Sequence, residues 1–213
     1  RYRAAFLKDV KLDTTLTNFV KRKGTEKALQ WAIKYTAGLP KPEPSGLLIY
    51  GSPGNGKTHL ATAIAGNALS NLMTVAWIHA PSWLRYIGTL ESDERESLIT
   101  LATRADLLVI DELGAGKLTV SRGDWLLSIM DAVYRHKRNV VITSNLTPGE
   151  LESALTPEGE KGYGVQDGAR IMDRLSEISV FVPNDGKSYR TELARQRLKN
   201  LEQATEDGGD PHE

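Results

Sequence analysis

Cysteine is absent from the 213 residues, which excludes a disulfide framework and thiolate zinc sites and fits a reducing compartment. Long hydrophobic runs are missing too. Nothing approaches the roughly 18 apolar residues of a membrane span, and no signal peptide is visible, so a cytoplasmic location is expected. There is no internal repeat. What is present is ordinary for a globular protein, with 40% hydrophobic and 25% charged residues and a length that suits one sizeable core.

Charge is unevenly spread. Lys plus Arg and Asp plus Glu each number 27, yet residues 1–41 hold 10 basic and 3 acidic side chains, whereas residues 201–213 hold 5 acidic ones and no Lys or Arg. A basic leading segment can touch a polyanion, or can simply be solvated. The chain opens at Arg1 without a Met, as expected of a fragment that has lost an N-terminal module.

One stretch carries chemistry on its own. Gly51-Ser52-Pro53-Gly54-Asn55-Gly56-Lys57-Thr58 fits G-x-x-x-x-G-K-[ST] without a mismatch. A strand-like run, residues 47–50, precedes it and an alanine-rich helical run, residues 59–72, follows. Glycines let the main chain curl so that N–H groups and a helix N-terminus face a polyphosphate. Lys57 would reach the β- and γ-phosphates and Thr58 would ligate Mg²⁺. The nucleotide-binding set is Gly51, Ser52, Pro53, Gly54, Asn55, Gly56, Lys57, Thr58 and the next residue, His59.

Around this loop the chain alternates strands with helices. Leu12, Leu16, Phe19 and Val20 predict a short amphipathic piece docked on the body, and Thr25 caps a helix to about Tyr35 with Ala28, Leu29, Ala32 and Ile33 inward. Pro40, Pro42 and Pro44 mark an extended linker. Residues 74–79 form a strand, 81–90 a short helix, 97–105 an apolar helix after the charged 91–96, and 106–112 a strand hydrophobic enough to be covered on both faces. A glycine-containing loop, 114–123, leads to a helix over 124–136. Residues 139–144 form the next strand, 146–155 a helix capped by Thr147, 159–168 a glycine-rich loop, 169–178 an amphipathic helix, and 179–182 the fifth strand. A terminal helix over 189–201 precedes an acidic tail, expected to be disordered. The fold class is α/β, a five-stranded parallel sheet between helices. The domain division is an arm over 1–45, a phosphate-loop domain over 46–200 and a tail over 201–213.

The other half of a phosphate site lies at strand ends. Asp111 closes an apolar strand, where it can hold Mg²⁺, and Glu112 can orient and deprotonate a water. Standing alone the two would merely cap a strand. Asn145 follows the next strand, in position to contact a γ-phosphate or the water; elsewhere it would be a turn residue. No N-K-x-D guanine-reading segment is present, which favours ATP.

Together these features resemble the AAA+ ATPase core. Narrower still, GSPGNGKTHLA, VIDELG, ITSNL, RIMDRL and GKSYR resemble the DnaC/DnaI helicase loaders and their relatives, the IstB transposition ATPases. That resemblance implies a nucleotide lodged between subunits of a ring or spiral. It implies Arg174 as an arginine finger reaching the neighbouring site, Arg170 assisting, and Arg190 as a second phosphate sensor. Both helix arginines could instead pair with Asp167, Asp173 or Glu177 on their own surface. The 23 residues after Arg190 are too few for the helical lid of most AAA+ proteins. The family's single-strand DNA channel would map to Tyr86, Lys117, Thr119 and Ser121, with Trp83, Leu84 and Ile87 spaced to suit a core instead. The expected function is an ATP- and Mg²⁺-dependent helicase loader acting with single-stranded DNA and the replicative helicase, through self-assembly and without a membrane. The alternative is a transposition ATPase on duplex DNA with a transposase. A small-molecule kinase would need an acceptor pocket and lid arginines, and neither is identifiable; a nucleotide-dependent scaffold would lack turnover.

Overall fold

The computed structural model describes residues 13–116, 118–156 and 167–207. Five strands, β1 (Gly46–Tyr50), β2 (Val75–His79), β3 (Leu107–Asp111), β4 (Asn139–Ser144) and β5 (Ser179–Pro183), form one sheet in the order β2-β3-β4-β1-β5. Every pairing is parallel. The strands β1 and β3 are apolar almost throughout, and β4 is buried along its whole length, because helices cover both faces.

Alternation along the strands divides the core. Leu47, Ile49, Leu107, Val109, Val141 and Val182 face α1 (Glu26–Gly38) and α2 (Lys57–Ser70). Leu48, Ile78, Leu108, Ile110, Val140 and Ile142 face the other layer: α3 (Ala80–Ile87), α4 (Ser92–Arg104), α5 (Val120–Arg135), α6 (Pro148–Leu155) and α7 (Asp167–Ile178). Thus the helix that follows the phosphate loop and the helix carrying Arg174 lie on opposite faces of the sheet. One helix, α8 (Tyr189–Asp207), follows β5 among the described residues.

Several boundaries differ from the sequence expectation. Residues 13–24 form turns docked on the body, with Phe19 buried and Leu16 packed against the same core but Val20 half exposed, and Leu12 lies outside the described residues. On α1 the inner residues are Ala28, Ala32 and Tyr35, while Ile33 faces out. Tyr35 wins because its phenol spans the apolar layer and donates to Ser45 O at 2.6 Å, anchoring the helix to the entry of β1. The charged residues before 97 belong to α4, whose first turn carries Asp93 and Glu94, where carboxylates complement the helix dipole. The helix α5 starts earlier than expected, at Val120, and takes in Gly123 as a buried residue. On α6 the Thr147 cap is present as a capping box with Glu150. The helix α8 runs on to Asp207 where the sequence suggested an end at Leu201. Most of the glycine-rich loop 159–168 and residues 208–213 lie outside the described residues.

Candidate active site

Strand order positions the site. Because β4 sits between β1 and β3, the loops leaving β1, β3 and β4 converge at the carboxyl ends of the strands, where ligands bind in open α/β sheets. Main-chain bonds lock them together: Gly51 N–H donates to Ser144 O at 3.2 Å and Leu113 N–H to Thr143 O at 2.9 Å. The resulting cleft has a volume of about 370 Å³ and is lined on this side by Pro53, Gly54, Asn55, Gly56, Lys57, Thr58, His59, Glu112 and Asn145.

Within it the two motifs meet. Thr58 Oγ1 donates to Asp111 Oδ1 at 3.0 Å across 53 residues of sequence. Thr143 completes the junction, donating to the same carboxylate oxygen at 2.5 Å while its own oxygen accepts from the Glu112 amide at 3.0 Å. Glu112 is held with φ +58°, a left-handed conformation that is costly for a residue with a Cβ. That turn aims its carboxylate away from the strand and toward the cleft. There Glu112 Oε2 meets His79 Nε2 at 3.2 Å, and His79 Nδ1 meets Ser82 Oγ at 2.8 Å.

Lys57 is 6% exposed. Its ammonium donates to Gly51 O at 2.7 Å and Ser52 O at 2.8 Å. Burial pulls its pKa down from 10.5 to about 8, opposed by Asp111 and Glu112 and assisted by the nearby Arg190 cation. A group poised this way gains most from an anion placed beside it.

Oxygen donors suit a hard cation here: one hydroxyl, Thr58, and one carboxylate, Asp111, leave the remaining positions to phosphate oxygens and water, as Mg²⁺ prefers. Among the described residues there is no cluster of three or more His, Cys, Asp or Glu that would make an all-protein metal cage.

Of the far wall of the cleft, sequence reasoning named Arg190 and missed the rest. Asn18, Phe19, Val20 and Arg22 from the arm, with Tyr189 and Arg190 from α8, close it. Phe19 packs edge-on to His59, centroids 5.3 Å apart, and a Cβ on Gly56 would come within 2.6 Å of the Phe19 ring. With φ at +101° as well, position 56 accepts only glycine. Arg22 donates to Asn55 O at 3.1 Å and to Lys187 O, and stacks on Tyr189 at 5.2 Å. Behind the loop, Asn55 and the fully buried Asn184 exchange amide bonds, Asn55 Nδ2 to Asn184 O and Asn184 Nδ2 to Asn55 O at 3.3 Å. Tyr189 N–H donates to Gly54 O at 2.8 Å. Residues 184–189 thus form a backing plate for the phosphate loop. The sequence pointed to this segment only through the GKSYR stretch and Arg190.

Arg170 and Arg174 do not line this cleft. Arg170 is exposed on α7. Arg174 lies over the Tyr134 ring at 4.7 Å, with Nε 3.4 Å from Asp131 and Nη1 3.6 Å from Asp173. Of the residues expected at DNA, Tyr86 is 49% exposed at the end of α3, Thr119 is the N-cap of α5 and Ser121 is exposed in its first turn; Lys117 lies outside the described residues. Trp83, Leu84 and Ile87 are core. Arg85, Leu118 and Arg122 line a common hollow of about 320 Å³, so the two stretches, far apart in sequence, are neighbours.

The profile of the family described as IstB-like ATP binding protein matches residues 36–198. The chain belongs to this family. This IstB-like protein is 28% identical over 158 residues to the insertion sequence IS5376 putative ATP-binding protein of Geobacillus stearothermophilus, covering 74% of the chain and 59% of that relative. It is 24% identical over 174 residues to the chromosomal replication initiator protein DnaA of Francisella tularensis subsp. novicida, covering 35% of that protein. The chain therefore spans between about a third and three fifths of the length of these curated relatives. Among solved structures, DnaI superposes with a TM-score of 0.68 at 25% identity, over 81% of this chain and 91% of DnaI. The DnaC helicase loader gives 0.66 at 20%, over 83% and 97%. DnaA of Aquifex aeolicus bound to AMPPCP gives 0.68 at 21%, over 90% and 56%. The sheet and its helices are those of the AAA+ ATPases. No helix among the described residues is long and apolar enough to cross a membrane.

Proposed function

We propose that this IstB-like protein hydrolyses ATP with Mg²⁺ and uses the cycle to load a replicative helicase on single-stranded DNA. The observation that carries the ATPase half is the meeting of Thr58 with Asp111 in a cleft shared by Lys57, Glu112 and Asn145. Lys57 moves from loop carbonyls to the β- and γ-phosphates, and the loop amides hold the rest of the chain of phosphates. Thr58 and Asp111 would hold Mg²⁺, which supplies charge neutralisation on the phosphates. Glu112 takes the proton of the attacking water, and Asn145 orients that water against the γ-phosphate. The base lies against Phe19, Val20 and Tyr189, the apolar wall of the cleft. Arg174, on the opposite layer from α2, serves the pocket of an adjacent subunit, where a guanidinium stabilises charge building on the transferred phosphoryl group.

The RIMDRL and GKSYR stretches and the near-complete overlap with DnaI support the loader. A transposition ATPase is the second reading, favoured by the likeness to the insertion-sequence protein. Capture of replicative helicase by the full-length protein, dependent on ATP and single-stranded DNA, is the expected result. Capture of transposase on duplex DNA with no helicase bound would reverse the choice.

A further inference from the structure

A second concavity, about 590 Å³, runs between α4 and α5 on the layer away from α2. It extends the length of both helices, from Ser92 to Arg104 on one and from Trp125 to His136 on the other, and ends at Arg138. Its chemistry is one-sided. Arg95, Arg104 and Arg138 line it against a single carboxylate, Glu96, and hydroxyls of Thr100 and Ser128 lie between them. Arg95 is committed to the fold, donating to Ile87 O at 3.0 Å and Leu90 O at 2.6 Å and stacking on Trp125 at 4.5 Å. The others are not. The side chains of Arg104, His136 and Lys137 make no hydrogen bond or ion pair with the described residues, and Arg138 Nε is buried without an acceptor. Arg138 stands near Asp106, but that carboxylate is already engaged by the Thr74 amide and hydroxyl at 2.8 and 2.7 Å. The run Arg135-His136-Lys137-Arg138 therefore gathers cations at one end of a trench, with Arg104 across from it.

We infer that this trench holds the sugar–phosphate backbone of DNA. Unpaired guanidinium groups separated by hydroxyls suit a row of phosphates, and the near absence of carboxylates removes what would repel one. An open groove with an occupied Trp125 face offers little for bases to stack on, so contact would be independent of sequence. The head of the trench adjoins the expected DNA surface: Arg95 grips the end of α3, where Tyr86 is exposed, and Trp125 lies against Gly88 at 3.5 Å from a Cβ placed there. A strand leaving Tyr86 and the start of α5 thus has an open path past the hydroxyls of Thr100 and Ser128 to the cations at the far end. The inference rests on the DNA-dependent function proposed above and lengthens its footprint beyond the residues that function invokes.

The test is the salt dependence of binding to a labelled oligonucleotide, single-stranded and duplex, by the full chain and by the double variant Arg104→Gln/Arg138→Gln. Loss of two phosphate contacts lowers the slope of log K against log salt by about 1.4 for a single strand, and affinity at about 0.1 M salt by about 25-fold. ATP turnover without DNA stays at the parent rate. Thr100→Glu, which sets a carboxylate on the half-exposed floor without touching Arg138, weakens binding in the same direction and guards against misfolding of the double variant. If the parent binds DNA and both variants keep its affinity and slope, the trench assignment is overturned while the proposed function stands. If the parent binds neither form of DNA, both fail. A slope change confined to duplex DNA keeps the trench and favours the transposition reading.

Discussion

Glu112, like Leu72 and Lys137, has a left-handed backbone among the described non-glycine residues, and its turn is what presents a carboxylate beside Lys57. Substituting Glu112→Gln should leave ATP binding intact and cut hydrolysis by about 100-fold or more, the scale of a lost general base; Lys57→Ala should abolish binding itself. Fluorescent-nucleotide titration and phosphate release separate the two. Asn184→Ala deletes one side of the amide exchange with Asn55, whose carbonyl keeps its Arg22 bond, a loss of about 1 kcal/mol in unfolding free energy. Because the phosphate loop rests on that pair, ATP affinity should fall as well, and a variant that unfolds more easily but binds ATP as before would count against the backing-plate role. Spacing alone made Lys57, Thr58, Asp111 and Glu112 legible, since each belongs to a local motif. Thr143, Asn184 and Arg22 were not legible, because their roles depend on which strand ends become neighbours.

At the scale of elements, periodicity located every strand, and the errors fell at helix ends and on the arm. Two misreadings at helix ends are local, since Gly123 sits within α5 and the acids before 97 serve the dipole of their own helix. On the arm and α1 the residue's partner lay elsewhere in the chain: Tyr35 reaches Ser45 and Phe19 meets Gly56. Asp106 shows the same principle at the entry of the sheet, where it clasps Thr74 and joins the starts of β2 and β3. The Thr74 hydroxyl and amide hold its carboxyl below the usual 3.8. The unfolded chain then binds more protons than the folded one in that window, so this contribution is complete above about pH 4 and disappears as pH falls through the lowered value. Urea melts of the parent and Asp106→Ala should differ at pH 7 and converge near pH 2.

For the whole molecule the decisive question is whether Arg174 works within its own chain or across a boundary. Placement on the layer opposite α2, clasped by Asp131 and over Tyr134, gives it no path to its own cleft in this arrangement. Arg174→Ala should therefore bind ATP normally and lose assembly-dependent turnover by about 10³-fold, the scale for a supplied guanidinium. Mixing it with the equally inactive Lys57→Ala protein should restore turnover, since one contributes the pocket and the other the arginine. No recovery on mixing would return Arg174 to a structural role. Finally, the arm's grip on the cleft has a mechanical side. Phe19 and Arg22 bear directly on Gly56 and Asn55, so tension applied to the chain ahead of Asp13 reaches the triphosphate clasp through only a few bonds. A pull on the arm would therefore be felt at the phosphate loop itself.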